Sequence, residues 1–262
     1  MLLDPINSIT SVKFYKKVSP QNTGRTFLYL AYLGLLFSIA FTVFLKTRIW
    51  PSIQETFQWL ETSVPVVTYA NGRLSTPANQ KISLRHPRIS DVSFTIDTSR
   101  TEPVSAQMLS DEKVTAYVTA NALYILEPSG KVDVYDFSKS PSAQSRVFDA
   151  KFYRELARDL RLALYPAGFL ISFVVFLIWK TVSTLFYSLV ALLVNGLTEA
   201  GLGYKSIFNL SAYAQTLVIA VQGMLMLIPA SVPHFSLLAA VAITIYLWLA
   251  IKSQAPPRPL AA

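Results

Sequence analysis

Side chains suited to nucleophilic or metal chemistry are few in this sequence and lie far apart. It contains no cysteine, which excludes disulfides, thiol nucleophiles and cysteine-based zinc or iron–sulfur sites. The two histidines, His86 and His234, belong to segments of different kinds, so a histidine-rich metal site is not expected. We therefore predict no metal-binding residue and no cofactor.

Two short motifs resemble catalytic or nucleotide-binding sequences, but each lacks a decisive residue. Asp97-Thr98 matches the start of the aspartic-protease motif Asp-Thr-Gly, yet Ser99 follows it and no second copy exists. The segment 201–206 lacks the glycine directly before Lys205 that a phosphate-binding loop requires. We predict a turn at Asp97, an interhelical loop at 201–206, no catalytic residue and a non-enzymatic protein.

Polar side chains recur at helical spacing inside two otherwise apolar segments. Those of the first segment share one helical face and are Lys180, Thr184, Ser188 and Asn195. Those of the second also share a face and are Ser211, Gln215 and Gln222. Polar groups in lipid normally face a partner or a cavity, so these residues predict either interhelical hydrogen bonds or a polar pathway. Hydrogen bonding is favoured, because neither segment has an Asp or Glu for a proton or cation relay.

The apolar residues around these positions are concentrated in four segments. The chain is 52% hydrophobic and only 15% charged. The four segments are residues 27–45, 162–197, 207–228 and 235–251. As a helix the first is about 29 Å long, close to the ~30 Å hydrocarbon core of a bilayer. The sequence predicts a multi-pass α-helical membrane protein with about four transmembrane helices.

The segment 162–197 exceeds one simple span, since a helix of that length measures about 54 Å. A hairpin that turns near Lys180 and one long helix are the alternatives. The long helix is favoured, because no Gly, Pro or Asn adjoins Lys180, whereas Asn195-Gly196 is a helix stop. Counting back about 20 residues from Val194 places Lys180 about 7 Å below the outer boundary, within reach of outward snorkelling.

Basic residues outside these segments predict the orientation. With four spans, the N-terminal segment 1–26, the loop 198–206 and the tail 252–262 lie on one side. Their basic residues are Lys13, Lys16, Lys17, Arg25, Lys205, Lys252 and Arg258. This bias favours a cytoplasmic N-terminus, with 27–45 as an uncleaved signal anchor. No segment has the dense basic charge of a nucleic-acid binder, although the net charge is +8.

Residues 46–161 form the one part suited to folding in water, with 15 basic and 13 acidic side chains. A short helix is predicted at 51–61, and Asn71-Gly72 predicts a hairpin between strands at 65–70 and 73–76. Further strands are predicted at 82–85, 92–96, 114–119, 123–126 and 132–137. Helical spacing returns over 146–164. The sequence thus predicts a small β-rich α+β extracytoplasmic domain inserted between helices 1 and 2.

Several short motifs follow one another in a characteristic order and spacing. They are Ser11-Val-Lys-Phe-Tyr15, Pro65 with Asn71-Gly-Arg-Leu74, Val92-Ser-Phe-Thr-Ile-Asp-Thr98, 114–124, Val134-Tyr-Asp-Phe-Ser138, Tyr204-Lys-Ser-Ile-Phe208 and Ala212-Tyr-Ala214. In this order and spacing they resemble a bacterial membrane-protein family known as domain of unknown function 1189. The resemblance spans nearly the whole chain and implies a bacterial cytoplasmic (inner) membrane protein. Some members carry a maltodextrin-utilisation label, but the family implies no established reaction.

Two functions follow as expectations. The leading one is an uncharacterised, non-enzymatic integral membrane protein whose extracytoplasmic domain senses a ligand or binds a partner. The alternative is a transporter or transport-accessory subunit that uses the intramembrane polar residues, with sugar uptake as the candidate process. The expected partners are the lipid bilayer and either another membrane protein or an extracytoplasmic ligand, with no nucleic acid.

Overall fold

A computed structural model describes residues 2–78, 80–89, 93–139, 145–228 and 232–255. The chain divides into two compact units. The helical unit comprises residues 1–48 and 164–262, and the β-rich unit comprises residues 49–163. Each unit has its own core of buried apolar side chains.

Apolar helices make up most of the helical unit. They are α3 (Thr23–Phe44), α6 (Ala150–Thr198), α7 (Tyr204–Ala214), α8 (Thr216–Leu227) and α9 (Phe235–Lys252), with α6 contributing residues to both units. Among the described residues, four helical stretches are long and apolar enough to cross a membrane. The fold is therefore compatible with a membrane α+β protein.

The helix bounds differ from the predicted spans in ways that local chemistry explains. Helix α3 begins at Thr23, because the Asn22 side chain accepts a hydrogen bond from the Gly24 amide (3.1 Å) and caps the helix. It does not end at residue 45, since a π-helical turn, Leu45–Ile49, continues directly into α4 (Trp50–Ser63). The predicted third span, 207–228, begins earlier, at Tyr204, and is interrupted at Gln215.

Helix α6 runs without a turn through Lys180, as the long-helix alternative describes. The outward snorkelling of Lys180 is wrong, however. Its side chain is 6% exposed and donates from Nζ to Gln222 Oε1 (3.3 Å), toward the neighbouring helix α8. The side-chain amide of Gln222 takes the place of water as the hydrogen-bond acceptor of Lys180.

The N-terminal residues are folded against the bundle. They form α1 (Asp4–Thr10), a 3-10 turn (Val12–Phe14) and α2 (Tyr15–Val18). Tyr15 and Val18 are each 1% exposed and belong to the core that α3, α7 and α9 share. The sequence predicts 1–26 only as a segment outside the spans, because its apolar residues are too few for a hydropathy signal. Residues 256–262 of the predicted tail lie outside the described residues.

The described residues of the β-rich unit form two sheets. The first has the order β2-β1-β8 and consists of Arg73–Ser75, Val67–Ala70 and Arg146–Phe148. The second has the order β3-β4-β5-β6-β7 and consists of Ile82–Arg85, Ser93–Asp97, Ala116–Thr119, Ala122–Leu126 and Val132–Asp136. The helices of this unit are α4 (Trp50–Ser63), α5 (Ala106–Glu112) and the first part of α6.

The predicted Asn71-Gly72 hairpin is confirmed, with Ala70 paired to Arg73 and Tyr69 to Leu74. Gly72 has a φ of +76°, a conformation that glycine adopts without strain. The five predicted strands of the second sheet also form, although Val92 lies outside the described residues.

The predicted helical stretch 146–164 is wrong at its start. Arg146–Phe148 is strand β8, and it pairs with β1 through Val147 and Thr68. Helix α6 begins only at Ala150, because the Asp149 side chain accepts a hydrogen bond from the Phe152 amide (2.8 Å) and caps it. Strand β4 pairs parallel to β5, with α5 as the crossover helix that a parallel connection requires, and the sequence does not predict this helix.

Candidate functional site

Three of the predicted polar residues of α6 are buried on one face of that helix. Lys180 is almost fully buried, and Thr184 and Ser188 are fully buried. The Thr184 hydroxyl donates to the Lys180 carbonyl oxygen, and the Ser188 hydroxyl donates to the Thr184 carbonyl oxygen, both at 2.7 Å. Each hydroxyl therefore donates its hydrogen to its own helix and can only accept a hydrogen bond from a neighbouring helix.

Gln215 connects this face to the interrupted third span. Its Nε2 donates to Thr184 Oγ1 (2.9 Å) and to the Ser211 carbonyl oxygen (3.2 Å). The Thr216 hydroxyl donates to the Tyr213 carbonyl oxygen (2.6 Å). These side chains satisfy carbonyl oxygens next to the interruption, where an apolar surround offers no water. Gln215 thus makes the kind of interhelical hydrogen bond that the sequence predicts.

Two polar atoms at the interruption keep unused capacity. Within the described part of the chain, Ser211 Oγ and Gln215 Oε1 are buried and have no hydrogen-bond partner. A buried acceptor without a donor costs about 1–3 kcal/mol relative to a satisfied one. The interruption is therefore a place where a proton donor can be accommodated.

Asn195 has a different role from the other residues of its stripe. Its Oδ1 accepts from the Leu202 amide (3.0 Å), and its Nδ2 donates to the Leu202 carbonyl oxygen (3.2 Å). This pair closes the loop between α6 and α7. Asn195 is therefore a loop-closing residue, and the structure does not bring it together with Lys180 and Gln222.

A second buried polar network joins α3, α7 and α8 to the N-terminal segment. The Thr26 hydroxyl donates to Asn209 Oδ1 (2.7 Å), and Asn209 Nδ2 donates to the Gln21 carbonyl oxygen (2.9 Å). Tyr29 shares a hydrogen bond with Thr216 (2.7 Å). Sequence reasoning missed this network, although a lone Asn209 in an apolar segment is the same signal that marks Gln215.

Aromatic stacking supports the same network. The rings of Tyr29 and Tyr213 lie parallel at a centroid distance of 3.8 Å. The Tyr29 hydroxyl also lies 3.3 Å from Ser8 Oγ of α1, and Tyr15 donates to the Ser8 carbonyl oxygen (2.8 Å). The N-terminal segment is thus held by specific hydrogen bonds in addition to apolar packing.

An apolar cleft of about 920 Å³ lies beside Lys180 and Gln222. Its walls come from α3, α6, α8 and α9 and include Phe37, Phe176 and Phe235. Ser172 also lines the cleft, and its hydroxyl donates to its own helix at the Phe169 carbonyl oxygen (2.9 Å). The cleft therefore combines an apolar wall with one lysine and one amide at one end.

Within the β-rich unit, Asp97 is held as the predicted turn residue. Its Oδ1 accepts from the amide and hydroxyl of Ser99 (3.2 and 2.5 Å), and its Oδ2 accepts from the Tyr117 hydroxyl (3.0 Å). Burial raises the pKa of Asp97, but these hydrogen bonds outweigh burial and hold the pKa below its ordinary value. Burial and the bond to Asp97 raise the pKa of Tyr117 to about 12. A carboxylate so engaged is poorly suited to acid catalysis.

His86 is also engaged by its own unit. Its Nδ1 accepts from the amides of Arg88 and Ile89 (3.2 and 3.1 Å), which leaves the hydrogen on Nε2, 3.2 Å from Thr56 Oγ1. Among the described residues no cluster of three or more His, Asp or Glu side chains is arranged to hold a metal ion.

The β-rich unit has a groove of about 490 Å³ between its β1–β2 hairpin and the residues around β8. We call it the β-unit groove, and it is lined by Tyr69, Leu74, Phe137, Arg146 and Phe148. Elsewhere in the unit, large apolar side chains are exposed, among them Tyr135 (56%) on β7 and Val147 (49%) on β8.

The chain was compared with known proteins. The family model described as "Protein of unknown function (DUF1189)" matches residues 5–251. The chain belongs to this family. None of the curated proteins and none of the solved structures matches it. The matched range includes both units, so the helical unit and the β-rich unit are both part of the family's common sequence.

These arrangements differ in what they can do chemically. The hydrogen-bond networks of the helical unit stabilise helix packing. The cleft can accept an apolar molecule and present one cation to it. The β-unit groove can accept an extended or aromatic group beside the guanidinium of Arg146.

Proposed function

We propose that this DUF1189-family protein is a non-enzymatic integral protein of the bacterial cytoplasmic membrane, with its N-terminus in the cytoplasm. In this proposal the β-rich unit lies outside the cytoplasm and binds a partner protein or an extracytoplasmic ligand. The observation that carries it is the β-unit groove, which joins aromatic walls to the single cation Arg146 on the unit that carries most of the chain's charge. Aromatic and arginine side chains are the residues that most often anchor protein interfaces.

The polar side chains best suited to catalysis in this unit are already hydrogen-bonded within it, which supports a binding role over a catalytic one. Asp97 and His86 are each committed to hydrogen bonds within their own unit. General acid–base catalysis needs a titratable group with access to a substrate proton, and neither residue offers it. Binding at the groove needs no such group.

Photo-crosslinking in intact cells tests this proposal. A photoreactive amino acid at Leu74, inside the β-unit groove, is expected to give an adduct of constant mass. The matched control is Ser129, which is exposed in the turn before β7 and does not line the groove. The adduct at Leu74 should weaken at least fivefold in Arg146→Ala. Equal adducts at both positions, or an adduct insensitive to Arg146→Ala, would contradict a binding site in the groove.

A second candidate function is transport or assistance to a transporter, with sugars as the candidate substrate. The observation that favours it is the interruption of the third span at Gln215, since interrupted helices form the binding sites of many transporters. Uptake of a labelled maltodextrin in cells carrying Lys180→Leu tests it, with Lys205→Leu in the α7 segment as the control. Normal uptake in the Lys180→Leu cells would overturn this candidate.

A further inference from the structure

Lys180 is a cation without an acidic partner in its own unit. Asp4 and Glu199 are the only acidic residues in the sequence of the helical unit. Asp4 lies 3.7 Å from Arg25, and Glu199 follows the end of α6 in the loop to α7. Among the described residues no carboxylate forms an ion pair with Lys180, which is held only by Gln222 and by the Phe176 ring at 6.0 Å.

The position of Lys180 makes the absence of an acidic partner energetically costly. Leu45, the first residue of the π-helical turn after α3, packs its side chain against Gly168 of α6, where an added Cβ would overlap Leu45 Cδ1. Lys46 follows Leu45 directly, and Arg48 comes two residues after Lys46. Lys180 is 12 residues beyond Gly168, which corresponds to about 18 Å along α6. In the proposed membrane orientation Lys180 therefore lies well inside the apolar layer, where ionisable residues are rare and mark functional sites.

The donors around Lys180 match one carboxylate. The lysine Nζ carries three hydrogens and donates one of them to Gln222 Oε1. No described protein group accepts from Gln222 Nε2, and both side chains line the cleft. A carboxylate has two oxygens and one negative charge, so it can accept from Nζ and from Nε2 and neutralise the lysine. A phosphate monoester dianion has two negative charges and three terminal oxygens. One of its charges would stay without a cation at Lys180 and Gln222.

The rest of the cleft matches a long hydrocarbon chain. Along α6 its lining extends from Leu164 to Lys180, about 24 Å. Apart from Ser172, Lys180, Gln222 and the indole N–H of Trp179, the lining side chains in the described part of the chain are apolar or glycine. We propose that this cleft binds a single-chain amphiphile, a long-chain fatty acid, with its carboxylate at Lys180 and Gln222 and its chain along α6. This inference does not depend on what the β-unit groove binds.

Displacement of a fluorescent fatty acid from the purified full-length protein tests the proposal, with palmitate and hexadecanol as the competing probes. Both have the same chain length, but only palmitate carries a negative charge. We expect palmitate to compete at a concentration at least tenfold lower than hexadecanol. Lys180→Met should abolish this preference, Lys180→Arg should retain it, and Lys205→Met should leave it unchanged, because Lys205 is exposed outside the cleft.

A pair of variants separates the chain from the headgroup. Ile171 and Ile178 are both on α6 and both 62% exposed, but only Ile171 lines the cleft. Ile171→Trp should weaken palmitate and hexadecanol alike, and Ile178→Trp should weaken neither. Equal competition by the two probes would overturn the proposal. So would displacement by phosphatidylglycerol alone, which would indicate a phospholipid site, or a dimer that excludes the fluorescent probe, which would indicate a second copy in the cleft.

Discussion

The helical unit and the β-rich unit both have buried apolar cores, but they expose different kinds of groups. In the helical unit hydrogen-bonded residues such as Asn209 and Gln215 are inside, while large apolar side chains such as Leu193 (72% exposed) and Leu197 (83%) face outward. In the β-rich unit the core contains Leu109 and Tyr117, and charged residues cover much of the surface. The exposed surface of the helical unit is of the kind suited to lipid, and that of the β-rich unit is of the kind suited to water. We therefore expect hydrogen bonds between buried polar groups to govern the stability of the helical unit, and backbone and packing geometry to govern that of the β-rich unit.

The largest effect is expected where a polar contact of the helical unit is removed. Asn209→Leu deletes the acceptor of the Thr26 hydroxyl and the donor to the Gln21 carbonyl oxygen. Thr26 is fully buried, so its hydroxyl hydrogen is left without that acceptor. We expect a loss of about 2–3 kcal/mol in the free energy of unfolding, measured by denaturant titration in detergent micelles.

The matched control is Asn195→Leu, which removes the loop-closing hydrogen bonds at Leu202 in a half-buried position. We expect it to cost clearly less, about 1 kcal/mol, because water can replace the lost partner. Equal losses for the two variants would show that burial of polar groups does not govern this unit.

A smaller effect is expected from the backbone of the β-rich unit. Gly72 and Gly130 both have positive φ, +76° and +83°. A Cβ at Gly72 would lie 3.2 Å from the Phe137 carbonyl oxygen, whereas a Cβ at Gly130 meets nothing within 4 Å. Gly130→Ala should cost about 1 kcal/mol from backbone strain alone, and Gly72→Ala about 1–2 kcal/mol more. Thermal unfolding of the full chain checks this order, and a reversal would contradict the hairpin geometry.

The smallest effect concerns the pair Tyr117 and Asp97. The pKa of Tyr117 is raised to about 12, so its contribution to stability is complete below pH 10 and is lost as the pH rises from 10 to 12. The pKa of Asp97 is lowered, so its contribution is present above its ordinary pKa and is lost as the pH falls below it. Tyr117→Phe should flatten both limbs of the stability profile and cost about 1 kcal/mol at pH 7. An unchanged alkaline limb would contradict the shared hydrogen bond.

The sequence predicts those features that a local signal controls. The apolar segments follow from hydropathy. The β1–β2 hairpin follows from Asn71-Gly72, because its two-residue turn needs positive φ at both central positions and Asn and Gly adopt it most readily. Strand β8 was misassigned because Val147 and Phe148 suit a helical stripe and a strand equally well. Their pairing with β1, about 80 residues away in sequence, decides between the two.

The candidate site was predictable only in part. Helical spacing correctly grouped Lys180 with Thr184 and Ser188, because residues four apart share a face. Spacing could not show that Lys180 turns toward Gln222, or that Asn195 turns to the loop, since both depend on which helix is the neighbour. The cleft itself has no sequence signal, because it is formed by residues from four helices.

A pair of reporter fusions tests the central claim most directly. The claim is that the helical unit spans the membrane four times and holds the β-rich unit outside the cytoplasm. Alkaline phosphatase, which is active only outside the cytoplasm, would be fused at Gly130 in the turn before β7 and, separately, after Ala255 beyond α9. The account predicts activity at residue 130 and none at residue 255. Activity at residue 255 with none at 130 would contradict it.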